Sequence, residues 1–81
     1  MTFTIISPTD TQHYTVNWIE AQTPCGNIII QPGHAPIILT ILADTFLSFS
    51  LKTGENKKIL LNRPGFLEVG RTGVMALINQ E

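Results

Sequence analysis

The chain has 81 residues, the size of one small domain, and we expect residues 1–81 to form a single unit. Five basic and six acidic residues give a formal net charge of −1, and apart from Lys52, Lys57 and Lys58 the charges are scattered, which argues against the basic face typical of nucleic-acid-binding proteins. Charged residues make up 14% of the chain, against about 25% in ordinary soluble domains. Composition leaves two interpretations open: an apolar surface kept for a partner, or a compact core under a surface of Thr, Asn and Ser.

Short apolar runs separated by Gly and Pro predict strands along the whole chain. In several runs apolar and polar residues alternate, which places one face of the strand inward and the other outward. The side chains predicted to share a face are Phe3 and Ile5, then Tyr14, Val16 and Trp18, then Leu47, Phe49 and Leu51. This spacing is typical of an all-β sandwich or barrel.

Two turns are predicted from residues that tolerate positive φ. Residues 53–56 contain Gly54 and Asn56 and should join the strand ending near Leu51 to a partner strand over residues 57–62. Residues 70–73 begin and end with glycine and should join strands over residues 66–69 and 74–78.

Residues 37–44 can be interpreted in two ways. Ile38, Ile41 and Leu42 would lie on one side of a helix. β-branched and aromatic residues dominate residues 37–53, however, and Ala43 with Asp44 could form a tight turn. We therefore favour a strand, with a helix as the alternative.

Residues with catalytic chemistry are few. His13, His34 and Cys25 match no common metal-ligand spacing, and no glycine-rich loop leads into a helix. Cys25 has no second cysteine with which to form an intramolecular disulfide, and together with His34 it is the one candidate nucleophile and base pair. We expect no cofactor, no metal and no catalytic activity.

The most distinctive segment runs from Gly26 to Ile37 and contains the uninterrupted block Pro-Gly-His-Ala-Pro from Pro32 to Pro36. This segment resembles the signature of the epsilon subunit of F-type ATP synthases. Residues 5–8, 64–69 and 74–78 resemble flanking strands of that family in the same order. The resemblance therefore covers nearly the whole chain.

The resemblance implies a flattened β-sandwich of about ten short strands in two sheets. It also implies a non-catalytic subunit of the central stalk, which couples the gamma subunit to the c ring during ion-driven ATP synthesis. The protein would then lie at the cytoplasmic face of the cell membrane and associate with the membrane only through the complex. In isolation, its apolar surface could pair two copies.

Site residues follow from the same resemblance. Pro32 and Pro36 restrict φ and Gly33 permits a reversal, so the loop should be stiff and present His34 at one end of the sandwich. Gly33, His34 and Asn27 would contact the c ring, and Ser7 would lie near gamma. The alternatives are that His34 forms hydrogen bonds only within its own turn and that Ser7 only terminates a strand.

The sequence departs from the family at several positions. Asn27 stands where an acidic residue is usual, Arg63-Pro64 departs from the usual glycine before Gly65, and Ala43 with Asp44 replaces a Pro-Gly turn. The family continues into a helical hairpin after its last strand, whereas this chain ends at Glu81, so we expect neither inhibition nor ATP binding through that hairpin. The alternative function is a free-standing β-sandwich adaptor that binds another protein.

Overall fold

The structure is a computed structural model that describes residues 1–79, and it is all-β, as the sequence predicts. The strands are β1 (Thr2–Ile6), β2 (Thr11–Thr23), β3 (Gly26–Ile30), β4 (Ile37–Ile41), β5 (Thr45–Leu51), β6 (Asn56–Leu61), β7 (Gly65–Val69) and β8 (Gly73–Leu77). The described residues thus form eight strands, where the family resemblance implied about ten.

The eight strands form two hydrogen-bonded layers that share the long strand β2. In the first sheet the order is β4-β7-β8-β1 and then the N-terminal part of β2. In the second sheet the C-terminal part of β2 lies between β3 and β5, and β6 is the outer strand beyond β5. All neighbours are antiparallel except β1 and β8, which are parallel. The two layers curl around one core.

A β-bulge in β2 overturns part of the predicted alternation. The pairing of β2 with β5 shifts register between Val16 and Trp18. A bulge inserts one extra residue, so every side chain beyond it changes face. Val16 and Ile19 are therefore buried, and Trp18 lies on the outer side of the second sheet instead of sharing a face with Val16. The bulge lies where β2 leaves the first sheet and enters the second.

The core consists of apolar side chains from the facing sides of the two sheets. Phe3 on β1 packs edge-on against Phe49 on β5, with ring centroids 5.1 Å apart, and the Tyr14 ring also packs against Phe49, with centroids 5.0 Å apart. The largest fully buried side chains are Phe3, Phe49, Ile19, Ile30, Ile41, Leu47, Leu61, Leu67 and Val16. Among the described residues no buried side-chain nitrogen or oxygen lacks a hydrogen-bond partner.

Residues 37–44 form a strand and a turn, so the favoured interpretation is confirmed. After β4 the chain reverses through Ala43 and Asp44, and Asp44 has φ of 60°. The Asp44 backbone N–H donates to the Leu61 carbonyl at 2.6 Å, and the Thr45 hydroxyl donates to the Leu42 carbonyl at 2.8 Å. The predicted hairpins at residues 53–56 and 70–73 also form, and Gly54 has φ of 99°.

The left-handed conformation of Asp44 leads to a prediction. Asp44→Gly should leave the free energy of unfolding unchanged or raise it by up to about 1 kcal/mol, because glycine carries no Cβ penalty at positive φ. Asp44→Val should lower it by about 1–3 kcal/mol, because a β-branched residue is strained there. Urea denaturation of the two variants measures the difference. Equal stability of both variants would contradict the positive φ.

Candidate partner-binding surfaces

The loop between β3 and β4 begins with a tight turn. Pro32 and Gly33 are its central residues, Gly33 has φ of 86°, and the His34 backbone N–H donates to the Gln31 carbonyl at 3.1 Å. Proline followed by a residue at positive φ is the arrangement of a type II turn. The stiffness predicted for this loop therefore has a definite local cause.

His34 is half-buried, and its ring is held by its own loop. Nδ1 lies 2.8 Å from the Ala35 carbonyl oxygen. A carbonyl can only accept, so Nδ1 carries the hydrogen and donates in this contact. The bond agrees with the interpretation in which His34 stabilises its own turn. The same hydrogen bond fixes the orientation of the imidazole ring. The Nε2 atom takes no part in it.

The loop forms one wall of a small cleft. The turn between β7 and β8 forms another wall, and Met1 also lines the cleft. The cleft has a volume of about 80 Å³, and its lining residues are Met1, Gln31, Pro32, Gly33, His34, Val69, Gly70, Arg71, Thr72 and Gly73. The sequence predicts a turn at residues 70–73 but does not connect Arg71 with His34, since only the packing of the loops places both beside one cleft.

Asn27 lies at the other end of β3 from Gly33 and His34. Its side chain is bonded on the outer side of the second sheet: its Oδ1 accepts from Gln22 Nε2 at 2.9 Å, and its Nδ2 donates to Glu20 Oε2 at 2.9 Å. Four residue steps of an extended strand separate Gly26 from Ile30, which is about 13 Å. The structure therefore does not bring Asn27 together with the other two residues assigned to the c ring.

Ser7 closes the turn between β1 and β2. Its backbone N–H donates to the Asp10 carbonyl at 2.9 Å, and its hydroxyl donates to the same oxygen at 3.1 Å. These bonds match the strand-terminating role. β1 runs from Thr2, which pairs with Gly73 beside the cleft, to Ile6, so Ser7 lies at the opposite end of the first sheet from the cleft.

Cys25 and His34 do not meet. Cys25 is exposed and precedes β3, whereas His34 follows it, so the length of β3 separates them. Within residues 1–79 no three His, Cys, Asp or Glu side chains come close enough to hold a metal ion. The same part of the chain contains no apolar helix of membrane-spanning length.

Apolar side chains cover part of the outer face of the first sheet. We call Ile38, Phe66, Met75 and Leu77 the first-sheet patch; Ile38 is 72% exposed and Phe66 is 54% exposed. Phe66 lies directly opposite Leu77, so their side chains are neighbours on the sheet surface. Glu68 lies between Ile38 and Met75 on the same face, so the paired side chains of Phe66 and Leu77 form its uninterrupted apolar part. Exposed apolar side chains on one face favour the interpretation of the low charge as surface kept for a partner.

The outer face of the second sheet is more mixed. Phe46 lies opposite Leu60, and both are about half exposed. The Lys58 ammonium lies 4.7 Å from the centre of the Phe46 ring and covers it in part. Charged and apolar side chains thus alternate on this face. The first-sheet patch is the better candidate for burial against a large partner.

The fold occurs in a solved assembly. The chain superposes with a TM-score of 0.85 on one chain of the Euglena gracilis mitochondrial ATP synthase, whose cryo-EM structure comprises OSCP, F1 and c-ring in rotational state 1. The two chains share a fold. Their identity is 17%, and the match covers 96% of this chain and 49% of that one, so this chain spans about half the length of its structural neighbour. No family model and no curated protein matches the sequence.

Proposed function

We propose that this protein is a central-stalk subunit of an F-type ATP synthase, which couples the gamma subunit to the c ring and performs no catalysis itself. The observation that carries the proposal is the superposition of 96% of the chain on a chain of an ATP synthase assembly. The intact Pro-Gly-His-Ala-Pro block from Pro32 to Pro36 supports it independently. In this role the domain associates with the membrane through the complex, at the cytoplasmic face of the cell membrane.

The proposed contact with gamma uses the first-sheet patch. A stalk subunit must hold its partner under torque, and burial of apolar surface stabilises an interface by about 25 cal/mol per Å² before the costs of association. Phe66 and Leu77 are paired neighbours, and large aromatic side chains contribute strongly at the centres of interfaces. Ser7 lies at one end of the same sheet, where the family resemblance puts it near gamma.

The proposed contact with the c ring involves Asn27, Gly33 and His34. Because Asn27 and the Gly33 turn lie at opposite ends of β3, a c ring that touches both must lie along this strand. β3 pairs only with β2 among the described strands, so its other edge is available to such a contact. Asn27 carries no charge, so its contribution there would be hydrogen bonding.

The direct test is co-purification with the tagged cognate gamma subunit. Wild-type protein should form a stable complex, and Phe66→Glu should weaken that complex at least about tenfold, because a carboxylate replaces an apolar anchor. Phe46→Glu is the matched control: it introduces the same charge at an exposed phenylalanine on the second sheet. Circular dichroism verifies that both variants fold.

The outcomes separate the competing functions. Absence of any complex between the wild-type protein and gamma would contradict the stalk function and favour the free-standing adaptor. Equal loss with Phe46→Glu and Phe66→Glu would contradict the assignment of the first-sheet patch to gamma, while the stalk function would stand.

A further inference from the structure

The cleft beside the Gly33 turn is lined by a cationic side chain and by no acidic one. Arg71 is one of the ten residues that line it, and none of the ten is Asp or Glu. Among residues 1–79 Arg71 is exposed and makes no hydrogen bond or ion pair, so its guanidinium carries five donors without a protein acceptor. Glu68 lines an adjacent depression on the outer face of the first sheet, outside this cleft.

Hydrogen-bonded turns form both walls of the cleft. The type II turn fixes one wall, and the His34 bond to the Ala35 carbonyl orients the imidazole. In the other wall the Gly70 backbone N–H donates to the Gly73 carbonyl at 2.8 Å, which closes the hairpin turn. A site with rigid walls loses little conformational entropy when a ligand enters.

The cleft volume limits what can enter. About 80 Å³ corresponds to roughly two or three water molecules, since each occupies about 30 Å³ in the liquid. The end of one carboxylate side chain fits this space. Arginine is suited to carboxylate because its planar fork can donate two parallel hydrogen bonds.

We infer that this cleft is a docking site for an acidic segment of a protein partner, in which a carboxylate enters between the Gly33 turn and the residue 70–73 turn and binds Arg71. The inference rests on the proposed function in taking the partner to be another subunit of the same assembly. It deepens that function because it specifies an acidic partner surface at the His34 end of β3.

The test measures the cleft directly and needs no other subunit. A blocked tetraglutamate peptide is titrated into the ¹⁵N-labelled protein at low ionic strength, where charge pairs are least screened. We expect shifts of the backbone amides of Gly33, His34, Gly70 and Gly73 at millimolar peptide. A tetralysine peptide should leave these amides unchanged.

Charge-reversal variants identify the binding group. Arg71→Glu should weaken tetraglutamate binding about tenfold or more, and Arg71→Lys should retain part of it. Lys58→Glu on the second sheet makes the same change in net charge and should leave the amide shifts at the cleft intact. The inference would be overturned by amide shifts scattered over the protein or by the absence of shifts. It would also be overturned by equal losses of tetraglutamate binding in the Arg71→Glu and Lys58→Glu variants.

Failure of this inference and failure of the stalk function give different results. Loss of gamma binding by the wild-type protein contradicts the stalk function and does not alter the peptide titration. A titration without shifts at the cleft overturns the acidic docking site even when gamma co-purifies.

Discussion

Phe49→Ala is expected to lower the free energy of unfolding by about 3–5 kcal/mol, the usual cost of deleting a fully buried aromatic side chain. Phe49 has no solvent exposure, and both Phe3 and Tyr14 pack on its ring. Its loss leaves a cavity between the two sheets. Small proteins are stable by only about 0.05–0.15 kcal/mol per residue, so the substitution should remove a large part of the total free energy of unfolding.

Phe46→Ala is the matched control on the same strand. Phe46 is 47% exposed, and its described ring contact is with the Lys58 ammonium. Its loss should cost no more than about 1 kcal/mol, since exposed cation–π contacts are weak. Thermal unfolding followed by circular dichroism should show a fall in Tm of more than about 12 °C for Phe49→Ala. Similar losses for the two variants would contradict the inward and outward assignment of β5.

Gly65→Ala is expected to lower the free energy of unfolding by about 1–3 kcal/mol, although it adds only a methyl group. A Cβ built on Gly65 lies 2.9 Å from the Leu77 carbonyl oxygen and 3.4 Å from Ile78 Cγ2. The first of these is a backbone atom of the neighbouring strand, so it cannot move without disturbing the sheet. Steric crowding, and not φ, is therefore the reason for glycine at this position.

Gly70→Ala provides the comparison for Gly65→Ala. A Cβ on Gly70 lies 3.3 Å from the Gly73 carbonyl oxygen, at an exposed hairpin turn where small shifts are less costly. Denaturant unfolding should rank Gly65→Ala as the less stable of the two. The reverse order would contradict the close approach of β7 and β8 at Gly65.

Local sequence determined most of the secondary structure. Alternation of apolar and polar residues predicted β1 and β5, because side chains in an extended strand alternate strictly between two faces. Gly54 and the glycines at 70 and 73 predicted two hairpins, because turn conformations depend on few neighbouring residues. The proline and glycine of the β3–β4 loop predicted a stiff turn with His34 beside it, and the structure has that turn.

Tertiary structure alone decided the remaining features. The bulge at β2 turns Trp18 outward and Ile19 inward, because β2 must pair with different strands along its length. Asn27 and His34, neighbours in one sequence motif, lie apart because an extended strand carries the chain away from its start. Arg71 lines the same cleft as the Gly33 turn because strands distant in sequence pair with one another, and no local preference encodes that arrangement. The sequence alone therefore predicts the strands and the turn of the candidate site, and the packing of the sheets determines which charges lie beside it.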